Sequence, residues 1–467
     1  MSTASVTVTE PARDQTSALP WSAAKQIAFR FFSLYLVLYA LGGQIAPSLL
    51  PIPHVHIPSL AQLAPIKAAF TWTAVHVFSI RNALIYVSGS GDKTFDWVLL
   101  FCILVLAVVG TVLWTALDRK RSEYVRLYGW VSLFLRFGLA SQMIIYGLVK
   151  VVPLQMPFPP LVRLLEPYGN FSIMAVLWSS VGASPCYEIF VGFAELIAGV
   201  LLVVPPLCTI GLLICLVDSI DVFALNMTYD VPVKQFSFHL IVLTGFLLAP
   251  QARRLMDLLI LNRAVQPIQS APLFQSPRAN RIAVWVQCAF GLFLVLGNCD
   301  GLRQRWFQYG GGHPRSKFYG IWNVQAMTYD GKVRLLSLAP SDRKLWRRLV
   351  FDMPGYMTAE SMDESISTFG SVIDPTGKTL TLPSQGNAKR TARLTAARLA
   401  SDRMTLDGSV EGHQIHLDLN AMDLKRFLLL GDRFHWIQEY SSSLTGCRSR
   451  PWGRVSGPQI PVDRVGN

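Results

Sequence analysis

The sequence predicts an α-helical polytopic membrane bundle of about seven transmembrane helices, followed by an antiparallel all-β domain in the form of a barrel or a sandwich. The chain of 467 residues is 51% hydrophobic and only 15% charged, whereas soluble domains have roughly 25% charged residues. Its apolar residues gather into segments near the length of about 20 residues that a helix needs to cross the hydrocarbon core. After residue 310, short runs of alternating polarity take over, and these are typical of strands.

The predicted spans run from the first to the last residue of each apolar segment. They are 27–43, 97–117, 130–152, 187–204, 207–225, 234–249 and 281–297. A further apolar segment, 170–182, is too short to cross and is expected to lie at the interface or to pack as a half-helix. The first span has no small-residue cleavage site behind it, so we expect it to be an uncleaved span.

Basic residues predict the orientation of the bundle, because short loops rich in Lys and Arg stay in the cytoplasm. Two such clusters follow the second and sixth spans: Arg119, Lys120, Arg121 and Arg126, then Arg253, Arg254, Arg263, Arg278 and Arg281. Alternation through seven spans then places loop 44–94, connector 226–240 and the C-terminal domain outside. Membrane orientation accounts for the formal charge of +13, so nucleic acid is not an expected partner.

These boundaries divide the chain into six regions. They are a cytoplasmic tail (1–26), a transmembrane pair with a long outer loop (27–128), a four-helix core (129–250), a basic loop with the last span (251–309), an extracytoplasmic β domain (310–440) and a disordered tail (441–467).

The strand-like runs of the β domain are separated by D-G, T-G and E-G turn signals. They are 319–327, 332–338, 345–351, 378–382, 403–408, 413–419, 426–430 and 434–440. Trp322, Trp346, His435 and Trp436 are expected in the core of this domain, since aromatic residues in strands are more often core than ligand sites.

Ionisable residues within the spans are the first candidates for function, because a charge in the hydrocarbon region is costly without a partner. They are Arg136 and Lys150 in the third span, Glu188 and Glu195 in the fourth, and Asp218 and Asp221 in the fifth. Helical spacing places the members of each carboxylate pair on one face. Most of these side chains fall in the outer half of the predicted bundle.

The connector before the sixth span brings further polar side chains to the same outer end, namely Tyr229, Asp230, Lys234 and His239. Together with the span residues they predict an outward-facing polar pocket, and the alternative is a set of interhelical ion pairs that fix the bundle. Since Pro232 lies between Asp230 and Lys234 and breaks a helix, a helical i,i+4 pair is not expected there. Lys234 is instead expected to face Asp221.

Metal and thiol chemistry find little support in the sequence. The seven cysteines include no C-x-x-C pair and no Cys/His group with zinc spacing. His54 and His56 form an H-V-H run but lack neighbouring acidic or cysteine ligands, so no metal site is expected. The stretch 88–94, S-G-S-G-D-K-T, lacks the spacing of a phosphate-binding loop and is interpreted as a turn.

Four stretches resemble the DoxX-like family of membrane proteins. They are Arg136 early in the third span, Y-G-L-V-K ending at Lys150, Y-E-I-F-V-G-F-A-E-L-I-A-G-V-L-L at 187–202, and Y-D-V-P-V-K at 229–234. The resemblance covers about residues 129–250. The wider layout, with S-G-S-G-D before the second span and R-F-H-W-I-Q-E-Y near the end, looks like a larger, uncharacterised bacterial membrane protein group.

The resemblance implies a multi-pass protein of the bacterial inner membrane, in a family linked to thiosulfate:quinone oxidoreductase subunits. A quinone is therefore the cofactor it points to, and the lipid bilayer and a second membrane protein are the expected partners. It transfers no catalytic residue. V-V-P-P at 203–206 stands where relatives tend to have a basic residue. The alternative function is a membrane-anchored binding or scaffolding protein that acts through its external β domain.

Overall fold

The computed structural model describes residues 21–81, 91–266, 272–334, 345–383, 392–410, 412–431 and 436. In chain order its helices are α1 (Ala23–Gly42), α2 (Ile45–Ser48), α3 (Ala64–His76), α4 (Thr94–Leu117), α5 (Val125–Val151), α6 (Ile173–Gly182), α7 (Pro185–Val203), α8 (Cys208–Thr228), α9 (Lys234–Leu248), α10 (Ala252–Leu259), α11 (Pro277–Gln308) and α12 (Leu428–Gly431).

Seven of these helices are long and apolar enough to cross a membrane, which confirms the predicted bundle. They are α1, α4, α5, α7, α8, α9 and α11 within the described residues, with short helical extensions on α8 and α9. Helix α6 has only ten residues and packs beside α7, as expected for a segment too short to span.

Helices α5 and α7 pack at very short distance, because glycines line both sides of their contact. A Cβ atom on Gly147 would lie 2.5 Å from the backbone nitrogen of Leu196, and one on Gly192 would lie 2.6 Å from that of Val151. Small residues let membrane helices approach until their backbones touch. This close contact holds the polar side chains of α5 and α7 against each other.

Helix α3 lies in the predicted first loop and packs along α4. The rings of Phe70 and Phe95 are 6.3 Å apart, and those of Phe78 and Phe101 are 4.9 Å apart. Since Phe101 lies two turns inside α4, this part of the loop runs beside the spanning helix and is not confined to the bundle end.

The C-terminal domain is a nearly closed antiparallel barrel of nine strands within the described residues. This confirms the predicted antiparallel β domain, in the barrel form and not as a sandwich. Its strands pair in the order β5-β4-β3-β1-β10-β9-β8-β7-β6, and β2 pairs with β1 beside this path. They are β1 (Gly320–Tyr329), β2 (Lys332–Arg334), β3 (Trp346–Phe351), β4 (Tyr356–Ser361), β5 (Ile366–Gly370), β6 (Val372–Ile373), β7 (Thr379–Leu382), β8 (Ala392–Arg398), β9 (Arg403–Val410) and β10 (His413–Ala421).

Side chains fill the barrel interior. Trp322 is buried there as predicted, together with Leu349 of β3, Leu417 of β10 and Leu406 of β9. Trp346 is only half-buried and packs on the edge of this core.

Two predictions for the β domain are wrong. Trp436 is 92% exposed and does not belong to the core. The run 426–430 forms a helical turn and α12 instead of a strand, because β10 already pairs with β1 and β9 and offers no free edge. His435, the tail 441–467, most of the run 434–440 and the second part of 332–338 lie outside the described residues. Strands β4, β5, β6 and β8 lie outside the predicted runs.

The barrel rests on the connector that follows α5. Leu161 of this connector packs with Ile321, Val350 and Met422 of the barrel, and its backbone N–H donates to Asp352 Oδ2 at 2.9 Å. We call the end of the bundle next to this contact the barrel end. The opposite end, which bears the basic segments 118–126 and 251–263, is the basic end.

Candidate functional site

The ten predicted site residues do not meet in one pocket. Four of them lie among α5, α7 and α8, namely Lys150, Glu188, Glu195 and Asp218. At the barrel end are Asp230, Lys234 and Tyr229, of which Tyr229 caps the end of α8. The other three lie apart: His239 faces α1, Arg136 lies toward the basic end, and Asp221 is exposed on α8.

Lys150 and Glu195 form a buried ion pair between α5 and α7. Their exposed fractions are 7% and 2%, and Gly192 makes the contact possible because a Cβ there would lie 2.7 Å from that of Lys150. Only Oε1 of Glu195 is bonded, and the buried Oε2 has no hydrogen-bond partner among the described residues. For these two residues the structure has the ion pair that the sequence left as the alternative to a pocket.

Glu188 holds the connector between α5 and α6. Its Oε1 accepts the backbone N–H of Met156 at 2.9 Å, while its buried Oε2 has no partner among the described atoms. Gly182 at the end of α6 packs on the same connector, with its position for a Cβ only 2.5 Å from the carbonyl oxygen of Pro157. Glu188 therefore fixes the start of the segment on which the barrel rests.

Arg136 is separated from Lys150 by 14 residues of α5, which is about 21 Å along a helix. Its guanidinium donates to Gln287 Oε1 of α11, and its Nε is buried without a partner in the described part of the chain. Arg136 thus joins α5 to α11 and does not contact Lys150 or Glu195.

His239 is bonded to α1. Its Nδ1 lies 2.6 Å from the carbonyl oxygen of Gln235, and its Nε2 lies 2.7 Å from the Tyr35 hydroxyl. Because a carbonyl oxygen only accepts, we assign the ring proton to Nδ1, so that Nε2 accepts from Tyr35. The imidazole also stacks on Tyr39, with ring centroids 4.0 Å apart.

Lys234 does not face Asp221, which corrects the sequence prediction. Its Nζ donates to Asp230 Oδ1 at 2.7 Å and lies 3.9 Å from Asp92 Oδ2. The contact arises because Asp230 has φ of +53°, a left-handed turn that brings its carboxylate back over the start of α9. A continuous helix across Pro232 is not required.

Asp92 caps α9 from a distant part of the chain. Its carboxylate accepts the backbone N–H groups of Lys234 at 2.8 Å and Gln235 at 2.9 Å, two of the donors that a helix start leaves unpaired. The N–H of Gly91 also donates to the carbonyl of Pro232. The connector 226–240 is therefore held by the segment that precedes α4.

A cleft opens at the barrel end among α1, α4 and α9. Its volume is about 190 Å³, and it is lined by Tyr39, Gly42, Gly43, Gln44, Ile45, Pro47, His56, Ile57, Ser59, Gln62, Gly91, Phe95, Asp96, Leu99, Leu100, Val233, Gln235 and Phe236. Apolar and aromatic walls with a few polar groups are typical of small-molecule sites.

The polar groups of the cleft are tied to the bundle core. Gln44 donates to Gln142 Oε1 at 3.1 Å and to the Tyr146 hydroxyl at 3.0 Å, and Gln235 donates to the carbonyl of Asp96 at 3.3 Å. These bonds fix the orientation of the side chains around the cleft.

Sequence reasoning missed the residues of this cleft. Polar residues at the ends of spans are common at any membrane interface, so Gln44 and Asp96 gave no signal. Tyr35 and Tyr39 are four apart on one helical face and could have been recognised as partners for a buried His. Among the described residues, no group of three or more His, Cys, Asp or Glu side chains is placed to hold a metal ion.

Part of the chain is similar to a protein of known sequence. The uncharacterised protein YwoB of Bacillus subtilis (strain 168) is 31% identical over 123 residues, which are 26% of this chain and 78% of YwoB. No family model matches the chain, so the DoxX-like resemblance rests on its short motifs alone. No solved structure matches either. Through this shared segment, about a quarter of its length, the chain belongs to the family of YwoB.

Proposed function

We propose that this protein is an accessory subunit of a quinone-linked redox system in the bacterial inner membrane, and that its cleft binds the quinone ring. The barrel end faces the outside in this proposal, because the basic segments that favour the cytoplasm lie at the other end. The extracytoplasmic barrel then stands above the cleft on the same side of the membrane.

The cleft is the observation that carries the proposal. Phe95 and Phe236 supply flat apolar walls for a ring. The Tyr39 hydroxyl has no hydrogen bond to another described residue, so it is available to donate to a quinone carbonyl oxygen. The cleft lies at the helix ends, where the polar head of a lipid-soluble molecule meets the water interface.

The DoxX-like resemblance supports the redox setting and not the binding residues. Of its motif residues, Lys150 and Glu195 join α5 to α7, and Lys234 stabilises the turn before α9. These roles are structural. The residues that bind the ring in this proposal, Tyr39 and its neighbours, lie outside the resembling segment.

The test is the affinity of the full-length protein in lipid nanodiscs for a short-chain benzoquinone and a short-chain naphthoquinone, measured by fluorescence quenching. Tyr39→Phe removes one hydroxyl, and we expect roughly fivefold weaker binding, the size of one hydrogen bond. Tyr128→Phe removes a hydroxyl of α5 toward the basic end and serves as the matched control. No saturable binding by the folded wild type, or equal affinities of the two variants, would refute the proposal.

The second candidate function is scaffolding by the barrel. It is favoured by the filled barrel interior, which leaves the outer surface of the barrel for contact with a partner. Removing residues 310–467 separates the two functions. Quinone binding that survives this deletion while the cellular phenotype is lost would favour the scaffold, whereas a phenotype that survives the deletion excludes it.

A further inference from the structure

An acidic pair lies on the outer surface of α8 within a spanning helix. Asp221 is exposed and lies seven residues before Thr228, which is about 10 Å from the barrel end of the helix. Asp218 lies one turn deeper and is half-buried. Neither carboxylate has a hydrogen bond or an ion pair with any described residue.

The surface around this pair is the kind that faces lipid. Val217 and Ile220 of α8 are 70% and 49% exposed, and Phe190 of the adjoining α7 is 70% exposed. An ionisable side chain that faces hydrocarbon is costly, and such residues in membrane proteins almost always have a partner. The surface is therefore incomplete without a second group that covers the carboxylates.

The neighbouring helices do not supply that group. From α7, Glu195 faces Asp218, and its Oε2 is buried without a partner. From α5, Lys150 is the nearby cation and is already bonded to Glu195, while Tyr146 is bonded to Gln44. The ammonium group of Lys150 is thus the nearby cation for three carboxyl groups, those of Glu195, Asp218 and Asp221.

The other ionisable groups of α8 and α9 add no free cation near Asp218 and Asp221. Cys215 of α8 lies against Ser219 and Thr244. On α9, His239 is bonded to Tyr35, and the ammonium group of Lys234 is bonded to Asp230. The described residues of these helices therefore supply no further cation to pair with Asp218 and Asp221.

We propose that this face of α8 and α7 binds a transmembrane helix of a second membrane protein, and that this helix carries a lysine or arginine at the depth of Asp218 and Asp221. The cation would pair with the two aspartates, and its long side chain would lie along Val217 and Phe190. The proposal is independent of the ligand of the cleft.

A second copy of this chain does not have the required charge. Away from the ends of the spanning helices, three described cations occur: Arg30, bonded to Tyr124 and Asp118; Arg136, bonded to Gln287; and Lys150, bonded to Glu195. None of these three is both exposed and near the depth of Asp221. Arg303 and Arg305 of α11 are exposed, but they lie beyond residue 297 in the polar end of that helix. The partner is thus a different protein.

The test is photo-crosslinking of the full-length protein in the membranes of its native host. A photoreactive amino acid replaces Val217 beside the acidic pair, or Val112 of α4 as a control that is also lipid-facing and 63% exposed. We expect a protein adduct at position 217 and none at 112. The adduct partner should have a transmembrane helix with Lys or Arg.

The adduct should depend on the carboxylates of Asp218 and Asp221 and on the basic residue of the partner. Asp218→Asn with Asp221→Asn should reduce the adduct about tenfold, in the range of a buried polar contact between membrane helices, whereas Asp221→Glu should keep it. Replacing the basic residue of the partner by Met should cause the same loss, and this arm remains valid if the Asn variant does not fold. Exchanging the charges, with Asp221→Lys and an Asp in the partner, should restore the adduct.

Four results would overturn the proposal. They are the absence of a protein adduct at position 217, an adduct between two copies of this chain, a partner helix without a cation, and an adduct that the folded Asn variant leaves unchanged.

Discussion

Lys150 on α5 and Glu195 on α7 form an ion pair that is almost closed to solvent. The pair exists because Gly147 and Gly192 let the two helices touch at the same level. Breaking a buried pair by removing one partner leaves an uncompensated charge and typically costs about 3–5 kcal/mol.

The first prediction concerns this pair. Lys150→Met should lower the free energy of unfolding by about 3–5 kcal/mol, measured by steric trapping or by thermal unfolding in detergent. Lys67→Met at an exposed position of α3 is the control and should have little effect. The double variant Lys150→Met with Glu195→Leu should recover much of the loss, and equal stability of the single variant and the wild type would contradict the prediction.

The second prediction concerns the contact of α5 and α7. Gly192→Ala places a methyl group 2.6 Å from the backbone nitrogen of Val151, so the helices must separate and the bundle should lose about 1–3 kcal/mol of stability. Gly245→Ala of α9 is the matched control, because no atom lies within 4 Å of its Cβ position. Equal melting temperatures of the two variants would show that the helices are not in close contact.

The third prediction concerns the cap of α9. Asp92→Ala removes the acceptor of two backbone N–H groups and should destabilise the protein by about 1 kcal/mol. Asp230→Asn weakens only the bond to Lys234 at a site where Asp230 is 82% exposed, and exposed pairs contribute about 0–1 kcal/mol. Hydrogen exchange of the first backbone amides of α9 measures both effects, and Asp92→Ala should increase the exchange rate more than Asp230→Asn. Equal increases in the two variants would contradict the prediction.

The fourth prediction concerns acid and the barrel. A hydrogen bond from the Thr376 hydroxyl, with the backbone N–H of Thr379 and Lys378, lowers the pKa of Asp374 to about 2. The usual value in an unfolded chain is about 3.9. Because the folded value is the lower one, the contribution to stability is present above about pH 4 and is lost as the pH falls toward 2.

The measurement is the melting temperature of the full-length protein and of Asp374→Asn across this range. The wild type should be the more stable at about pH 6, and most of the difference should be lost near pH 2, where the Asp374 carboxyl is about half protonated. A difference that does not change with pH would exclude the ionised carboxylate as its source.

Much of the fold follows from the sequence, because apolar length is a strong signal. Helix α4 was predicted at 97–117 and runs over Thr94–Leu117. Helix α11 was predicted to end at residue 297 but continues to Gln308, since a helix that leaves the membrane continues with polar residues that hydropathy does not detect. In the barrel, β8 lies outside the predicted runs because three of its seven residues are Ala, which is depleted in strands. It gains its place from pairing with β7 and β9.

The site was harder to predict, since spacing places a side chain on a face and at a depth but does not select its partner. Glu195 and Lys150 were both placed in the same part of the bundle, and the glycine contact decides that they pair. For Lys234, the partner of the side chain is determined by the left-handed turn at Asp230 and by Asp92, which caps the start of α9. Neither is encoded in the helical spacing of the connector.

The connector between α5 and α6 also sets how the two halves of the protein move. Its first part is bonded to Glu188 of α7, and Leu161 is bonded to Asp352 of the barrel only five residues after Met156. Because the connector between these two bonds is so short, we expect a rotation of α7 about its axis to tilt the barrel. A probe on the barrel rim should therefore report rotations of α7 within the bundle.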